Sequence, residues 1–351
     1  MKKCCIIGAF GFSDLEHATG GQPVKTRALY DLLEEKYGDE RITYIETYQW
    51  KKNPIRMLVQ LLLSVFSCDV LIMLPAQNGV RVFTRILRKW KRKDARLYYD
   101  VIGGWLPEKL LDDHFLLAEL KKFDGIWVET YSMEKVLKEL GLKNVSIVPN
   151  FKRLEILSKE ELPDFTKEPL PLCTFSRVME EKGISEAIEV VTKINAKLGR
   201  KVFTLDIFGP VAPEYELKFY DKLKHCSGEV SYKGVVLPEK SVQTVKNYFA
   251  MLFPTYYAGE GFAGTLLDAM AAGVPVIASD WKYNRDIVRN GKTGVLFRAK
   301  DMQDMEEKLM FSYQNLMSWN GMRVACIEEA KRYTSEVVLK QITECLEGDF
   351  P

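Results

Sequence analysis

Between Gly259 and Asp280 the sequence reads GEGFAGTLLDAMAAGVPVIASD. An acid, Glu260, precedes the turn Gly261-Phe262-Ala263-Gly264, and a second acid, Asp268, follows eight positions after the first. Glycines let backbone approach a ligand closely and adopt dihedrals closed to other residues. Thr265–Ala272 has a helical pattern, stopped by Gly273 with Pro275 behind it. The start of a helix carries N–H groups with no intrahelical acceptor and a partial positive charge, which suits a phosphate. Carboxylates suit hydroxyls. Glu260 on the loop is placed to accept hydrogen bonds from a sugar, and Asp268 in the first helical turn to grip a ribose diol. Thr265 and Asp268 also have the spacing of a capping box, which would give Asp268 a purely structural role. Glu260 lies between glycines with no helix of its own to cap.

Two further elements offer charge. Phe175–Ile184 reads FSRVMEEKGI, between an apolar strand and a helix, and holds Arg177 and Lys182 five apart across a turn. Both heads reach one diphosphate in that arrangement, Arg as a fork and Lys as a point charge; a solvated pair is the alternative. Gly20–Arg27 reads GGQPVKTR, with Gly20 and Gly21 ahead of a helix starting near Pro23. It permits close backbone approach to a ligand, or is a simple turn, with Lys25 and Arg27 facing anionic groups or water. Gly8–Phe12, GAFGF, lacks the GxGxxG spacing, so a nicotinamide cofactor is not expected. The chain has no DxD pair, which fits a site where Arg, Lys and a helix dipole, rather than a metal, stabilise a leaving diphosphate.

These residues need elements to hold them. Short apolar runs alternate with amphipathic helical patterns, which predicts parallel sheets covered by helices. Strands are expected at Cys4–Gly8, Ile42–Ile45, Val70–Leu74, Leu97–Val101, Gly125–Val128 and Ser146–Val148, then at Leu172–Phe175, Thr204–Phe208, Val230–Tyr232, Met251–Phe253 and Val274–Ala278. The expected layout is α/β, with two Rossmann-like doubly wound domains facing across a cleft. An N-terminal domain at 1–155 and a C-terminal domain at 172–330 are joined by a polar, proline-punctuated linker at 156–171. A terminal helix within 331–351 is compatible with packing back on the first domain.

The 351 residues carry a net charge of +2, which makes no case for nucleic acid. Seven scattered cysteines without a CxxC pair read as reduced thiols in a cytoplasm. Three histidines with no Cys/His cluster argue against structural zinc. Ile55–Phe66, the most apolar helical stretch, is too short to span a bilayer and reads as a core helix, with a membrane-surface helix as the alternative. Arg81–Arg96 is rich in Lys and Arg, with one Asp and one Trp, and its Arg81, Arg85, Arg88 and Arg92 recur at helical spacing. It is either the solvated face of a domain helix or a monotopic contact with anionic lipid.

The Glu260-Gly-Phe-Ala-Gly turn, Asp268-Ala-Met and the following AAGVPVIAS resemble the donor-site signature of the family 4 retaining glycosyltransferases of GT-B fold. Ser176-Arg177 with Lys182-Gly183 is similar to that family's diphosphate pair. Phe208-Gly209 and Tyr232-Lys233-Gly234-Val235 resemble its strand ends near the nucleobase, and Asn290-Gly291, Thr293-Gly294 and Leu296-Phe297 its closing run. In the first half, Gly20-Gly21 and Val148-Pro149-Asn150 fit the family's glycine-rich loop and domain end. The resemblance implies roles. Glu260 contacts the transferred sugar, Asp268 holds the ribose, Arg177 and Lys182 neutralise the diphosphate, amides around Ala263 and Gly264 bind phosphate oxygens, and Val235 presents its backbone to the base. It implies transfer with retention, no metal or other cofactor, a nucleotide-sugar donor, and a glycan or polyprenyl-diphosphate-linked acceptor. The setting would be surface polysaccharide assembly, at the inner face of a plasma membrane.

Two departures stand out. The second acid is Asp268 where the family usually has Glu. The strand Leu97–Ile102 runs into Gly103-Gly104-Trp105, where the family often has a His; His17 and His114 are nearby in sequence. A sugar-nucleotide epimerase of the same fold and a catalytically inactive nucleotide-sugar-binding subunit are the alternatives.

Overall fold

A computed structural model describes residues 2–14, 20–77 and 79–346. The chain divides into two compact units, Met1–Arg153 with Tyr333–Pro351, and Leu154–Arg332. No described helix is long and apolar enough to cross a membrane.

The first unit is built on β1 (Cys4–Gly8), β2 (Ile42–Glu46), β3 (Val70–Met73), β4 (Arg96–Asp100), β5 (Gly125–Val128) and β6 (Val145–Ile147). They form one parallel sheet in the order β2-β1-β3-β4-β5-β6. β1, β3 and β5 are buried at every position, as expected of strands covered on both faces. The helix Ser335–Cys345 buries Val338 and Ile342 in this unit's core, and Tyr98 Oη bonds the Cys345 carbonyl.

The second unit is built on β7 (Leu170–Phe175), β8 (Phe203–Phe208), β9 (Val230–Gly234), β10 (Ala250–Phe253), β11 (Val276–Asp280) and β12 (Gly294–Arg298). Its parallel sheet runs β12-β11-β10-β7-β8-β9. Numbered within the unit this is the 3-2-1-4-5-6 order of the doubly wound dinucleotide-binding sheet. The chain winds outward one way through β8 and β9, then returns to start again at β10. The carboxyl ends of β7 and β10 therefore flank the topological switch point, where such sheets hold ligands.

The structure departs from the sequence reading at four points. The 156–171 segment is no loose linker. Leu157 is buried and bonds the Ala271 carbonyl, Asn320 pairs with both backbone groups of Phe165, and the Phe165 ring packs on Phe249 and Arg323. Its scattered apolar residues lack a period because they strap a surface rather than face one side of an element. β12 was not foreseen as a strand. Gly294 at φ +155° makes it possible, since a Cβ there would lie 2.0 Å from the Val276 carbonyl. The helices Leu106–Asp112, His114–Leu120, Asn284–Ile287 and Leu316–Ala330 were also unforeseen. The core helix expected at Ile55–Phe66 is Pro54–Ser67, and it buries only Met57, Leu61 and Val65.

Candidate active site

Lys182 reaches the switch point from β7. After that strand, Ser176 N–H bonds the Phe208 carbonyl at 3.2 Å and Val178 N–H the Pro210 carbonyl at 2.9 Å, pinning the loop to the end of β8. A single 3-10 turn, Glu180–Lys182, then ends at Gly183 in the left-handed region, φ +68°. A Cβ on Gly183 would sit 2.3 Å from the Pro254 carbonyl. Glycine there lets the β7 loop touch the β10 loop, and Tyr256 N–H seals the contact by bonding the Glu181 carbonyl at 2.7 Å.

Glu260 arrives from β10. It is 6 % exposed, and its Oε2 accepts from Lys182 Nζ at 2.6 Å and from Thr255 Oγ1 at 2.6 Å. The Lys182 ammonium also lies 5.1 Å from the centre of the Tyr257 ring. Thr255 is itself held: Ser279 Oγ donates to its carbonyl, and Asn284 Nδ2 donates to the Ser279 carbonyl. All three are fully buried. The arrangement fixes a carboxylate and an ammonium at one point. An ammonium has three donors, so Lys182 keeps two beyond the one given to Glu260.

The helix after the glycine turn is Gly264–Ala271, one residue earlier than expected at both ends. Ala263 is its N-cap and no side chain caps it. Thr265 is therefore its second residue and Asp268 its fifth, which corrects both the placement of Asp268 in the first turn and the capping-box reading. Asp268 is buried at 2 % exposure. Gly261 and Phe262 are buried, while Ala263, Gly264 and Thr265 stay partly exposed at the helix start, where N–H groups lack intrahelical acceptors. Gly273 ends the segment at φ +61°: its N–H bonds the Met270 carbonyl and Val274 N–H the Ala269 carbonyl, a Schellman pair.

Gly209 and Gly234 meet beside this site, Gly209 N–H bonding the Gly234 carbonyl at 2.9 Å. Gly209 sits at φ +129°, and a Cβ there would lie 1.9 Å from the Ser176 carbonyl. Val235, just past β9, is exposed, as is Arg177, which has no ion-pair partner among the described residues. Sequence reasoning missed Thr255 and Tyr257; their one signal was polar FPTYY at the end of an apolar strand.

In the first unit, Gly20 is the N-cap of the helix Gly21–Tyr37, and nothing packs within 4 Å of where a Gly21 side chain would begin. Lys25 faces anionic groups, one of the two options the sequence offered, and they are the chain's own carboxylates. It is buried, with Nζ 2.9 Å from Asp100 Oδ1 and 3.1 Å from Glu129 Oε1, at the carboxyl ends of β4 and β5. Burial, then the Glu129 charge, push the Asp100 carboxyl up to about 6 against the pull of Lys25. Arg27 donates to the Phe10 carbonyl. The GAFGF loop is occupied from within: Glu46 accepts from the N–H groups of Phe10, Gly11 and Phe12. After β4 the chain turns at Gly103, φ +83°. His114 is exposed at the start of a helix, and His17 lies outside the described residues.

The basic run is also less open than its sequence implied. It forms the helix Val80–Trp90, and Arg81 pairs with Asp113, Arg88 with Glu119, and Arg92 with Asp69 and Asp94.

Two parallel six-stranded units, one in the dinucleotide-binding order with a lysine, a glutamate and a glycine-turn helix start at its switch point, define the GT-B class of fold. Residues 158–333 match the family Glycosyl transferases group 1, and the chain belongs to that family. It is 26 % identical over 282 residues to the UDP-N-acetylglucosamine–peptide N-acetylglucosaminyltransferase GtfA subunit of Streptococcus gordonii, covering 76 % of this chain and 53 % of that one. The chain spans about half the length of the curated relatives it matches. Among solved structures it resembles Anabaena Alr3699/HepE in complex with UDP, with a TM-score of 0.72 at 14 % identity over 99 % of both chains. It also resembles the sucrose-phosphate synthase of Thermosynechococcus elongatus, with a TM-score of 0.76 at 14 % identity over 98 % of both chains.

Proposed function

We propose that this chain is a retaining glycosyltransferase that moves a sugar from a nucleotide-diphosphate donor to a glycan or lipid-linked acceptor, without a metal, in surface polysaccharide assembly. The observation that carries the reading is the Lys182–Glu260 contact at the β7/β10 switch point. In this reading Lys182 and Arg177 meet the diphosphate as the bond to the sugar breaks and its charge grows. The N–H groups opening the Gly264–Ala271 helix hold phosphate oxygens. Glu260, kept in place by Thr255 and Lys182, orients the sugar, and Asp268 holds the ribose. Backbone near Gly209, Gly234 and Val235 borders the base. Gly20 and Gly21, at the start of the helix Gly21–Tyr37, offer backbone that a ligand can approach closely.

The relatives favour a UDP-linked donor, since one is a UDP-N-acetylglucosamine–peptide transferase subunit and a structural neighbour was solved in complex with UDP. A cytoplasmic location at the inner membrane face fits a lipid-linked acceptor. The test is a thermal-shift panel of UDP-, GDP- and ADP-sugars. A ligand that binds only the native state raises its stability by mass action, by about 2.7 kcal/mol at one hundred times its Kd. The donor is expected to give the largest rise in Tm, followed by acceptor-dependent release of the nucleotide. No shift with any sugar nucleotide removes the proposal. Turnover of the donor without an acceptor, through epimerisation, removes the transfer step.

A further inference from the structure

The helix Pro54–Ser67 is apolar on both sides. Met57, Leu61 and Val65 recur every four residues and face the interior of the first unit. Ile55, Leu58, Val59, Leu63 and Phe66 are exposed, by 78, 41, 50, 66 and 55 % respectively. With the partly exposed Leu62 they recur at i, i+3, i+4, i+7, i+8 and i+11, one continuous outer stripe. A helix apolar all round is normally enclosed, and a contiguous exposed apolar patch marks a surface that something covers. The helix Val80–Trp90 packs beside it and adds the exposed Val82 and Trp90.

Charge identifies the occupant. Between Glu46 and Asp94 the sequence holds ten Lys or Arg and one acid, Asp69. Arg56, Arg85 and Lys89 are exposed and stand outside the ion pairs that engage Arg81, Arg88 and Arg92. The stripe itself offers no polar side chain for directional bonding. A second copy would bring the same cations and no acids from this helix, so self-pairing is opposed. An apolar stripe with an exposed Trp and unpaired cations on the same and the neighbouring helix suits the boundary between acyl chains and anionic headgroups. At 14 residues the helix is shorter than the roughly 20 needed to span a bilayer, so it would lie in the interface plane.

We propose that the outer stripe of Pro54–Ser67, with the exposed cations Arg56 on this helix and Arg85 and Lys89 on the next, docks the first unit onto an anionic bilayer surface. It deepens the transferase reading, since it places the chain where a lipid-linked acceptor resides, but its test does not depend on that activity. The measurement is co-sedimentation of the full chain with phosphatidylcholine vesicles, with and without about 30 mol% phosphatidylglycerol. The expected result is binding that needs the anionic lipid and weakens with salt. Ile55→Gln with Leu63→Gln should lower the partition coefficient at least about tenfold, because both side chains lose apolar burial in the lipid. Both positions are exposed, so the variant should keep the parental Tm and far-UV circular dichroism. Arg85→Gln with Lys89→Gln should lower binding to anionic vesicles without abolishing the response to apolar substitutions. Absence of wild-type binding overturns the proposal, as does equal binding by the Ile55/Leu63 variant. A dimer in sedimentation velocity that this variant dissociates, with no vesicle binding, would assign the stripe to a protein interface instead. Vesicle binding in a chain that no sugar nucleotide stabilises would keep the docking surface and reject the transferase reading.

Discussion

Lys182 Nζ and Glu260 Oε2 lie 2.6 Å apart although 78 residues separate them in sequence. Each follows a different strand, and the two strands are neighbours only because the sheet reverses its winding between them. Both side chains are largely buried, so the pair is worth most as a fixed geometry, and removing either partner leaves a charge stranded.

Lys182→Ala should therefore cost about 3–5 kcal/mol of stability. Glu260→Gln keeps hydrogen-bonding capacity and should cost less, while reducing sugar transfer far more than nucleotide affinity. Denaturant melts of both single variants and the double variant give the coupling energy. Additive single effects would show that the contact carries no energy.

Arg177 is exposed and outside any ion pair among the described residues. Arg177→Ala should leave unfolding free energy within about 0.5 kcal/mol of the parent. If it neutralises the leaving diphosphate, kcat should fall on the order of a hundredfold. Steady-state kinetics beside a thermal melt checks both, and an unchanged kcat would return Arg177 to the solvated surface.

Gly209→Ala must place a Cβ 1.9 Å from a carbonyl oxygen at φ +129°. It should destabilise by more than about 3 kcal/mol, since backbone strain and overpacking act together. Gly199→Ala is the control: φ is +62° but nothing lies within 4 Å of the added atom, so only the left-handed cost of about 1–2 kcal/mol applies. Urea midpoints for the two variants should differ accordingly.

Asp100 titrates at about 6 when folded, above its ordinary range, because burial outweighs Lys25. A carboxyl raised in this way binds more protons folded than unfolded between about pH 4 and 6. Its stabilising contribution is complete below the lower value and is lost as pH rises through 6. The unfolding free energy of the parent minus that of Asp100→Asn should therefore increase as pH falls from 7 to about 4.5. A flat difference would show that Asp100 is ionised throughout.

Much of the candidate site was legible because its signals are local. Glu260 between glycines, Gly273 with Pro275, and Lys182-Gly183 after an apolar strand each reflect backbone geometry set within a few residues. Helix starts were less legible. Thr265 looked like a cap, yet the helix begins at Gly264 without one, because buried Phe262 and the following Leu266 and Leu267 place it by packing. Ile55–Phe66 shows a limit of another kind. Its composition predicts burial, but a single helix face is all the sheet could cover, and the other remained outside.

By itself the sequence determined two series of alternating strands and helices, and the residue types gathered in the candidate site. Apolar period and turn chemistry are short-range properties, so they could be read along the chain. Only the tertiary structure decided that β7 lies beside β10, and with it that Lys182 and Glu260 share one contact held by Thr255, Ser279 and Asn284. It also decided that Lys25 is locked between Asp100 and Glu129 rather than facing a ligand. Those pairings depend on strand order, and strand order is settled by which apolar faces bury one another across the whole sheet.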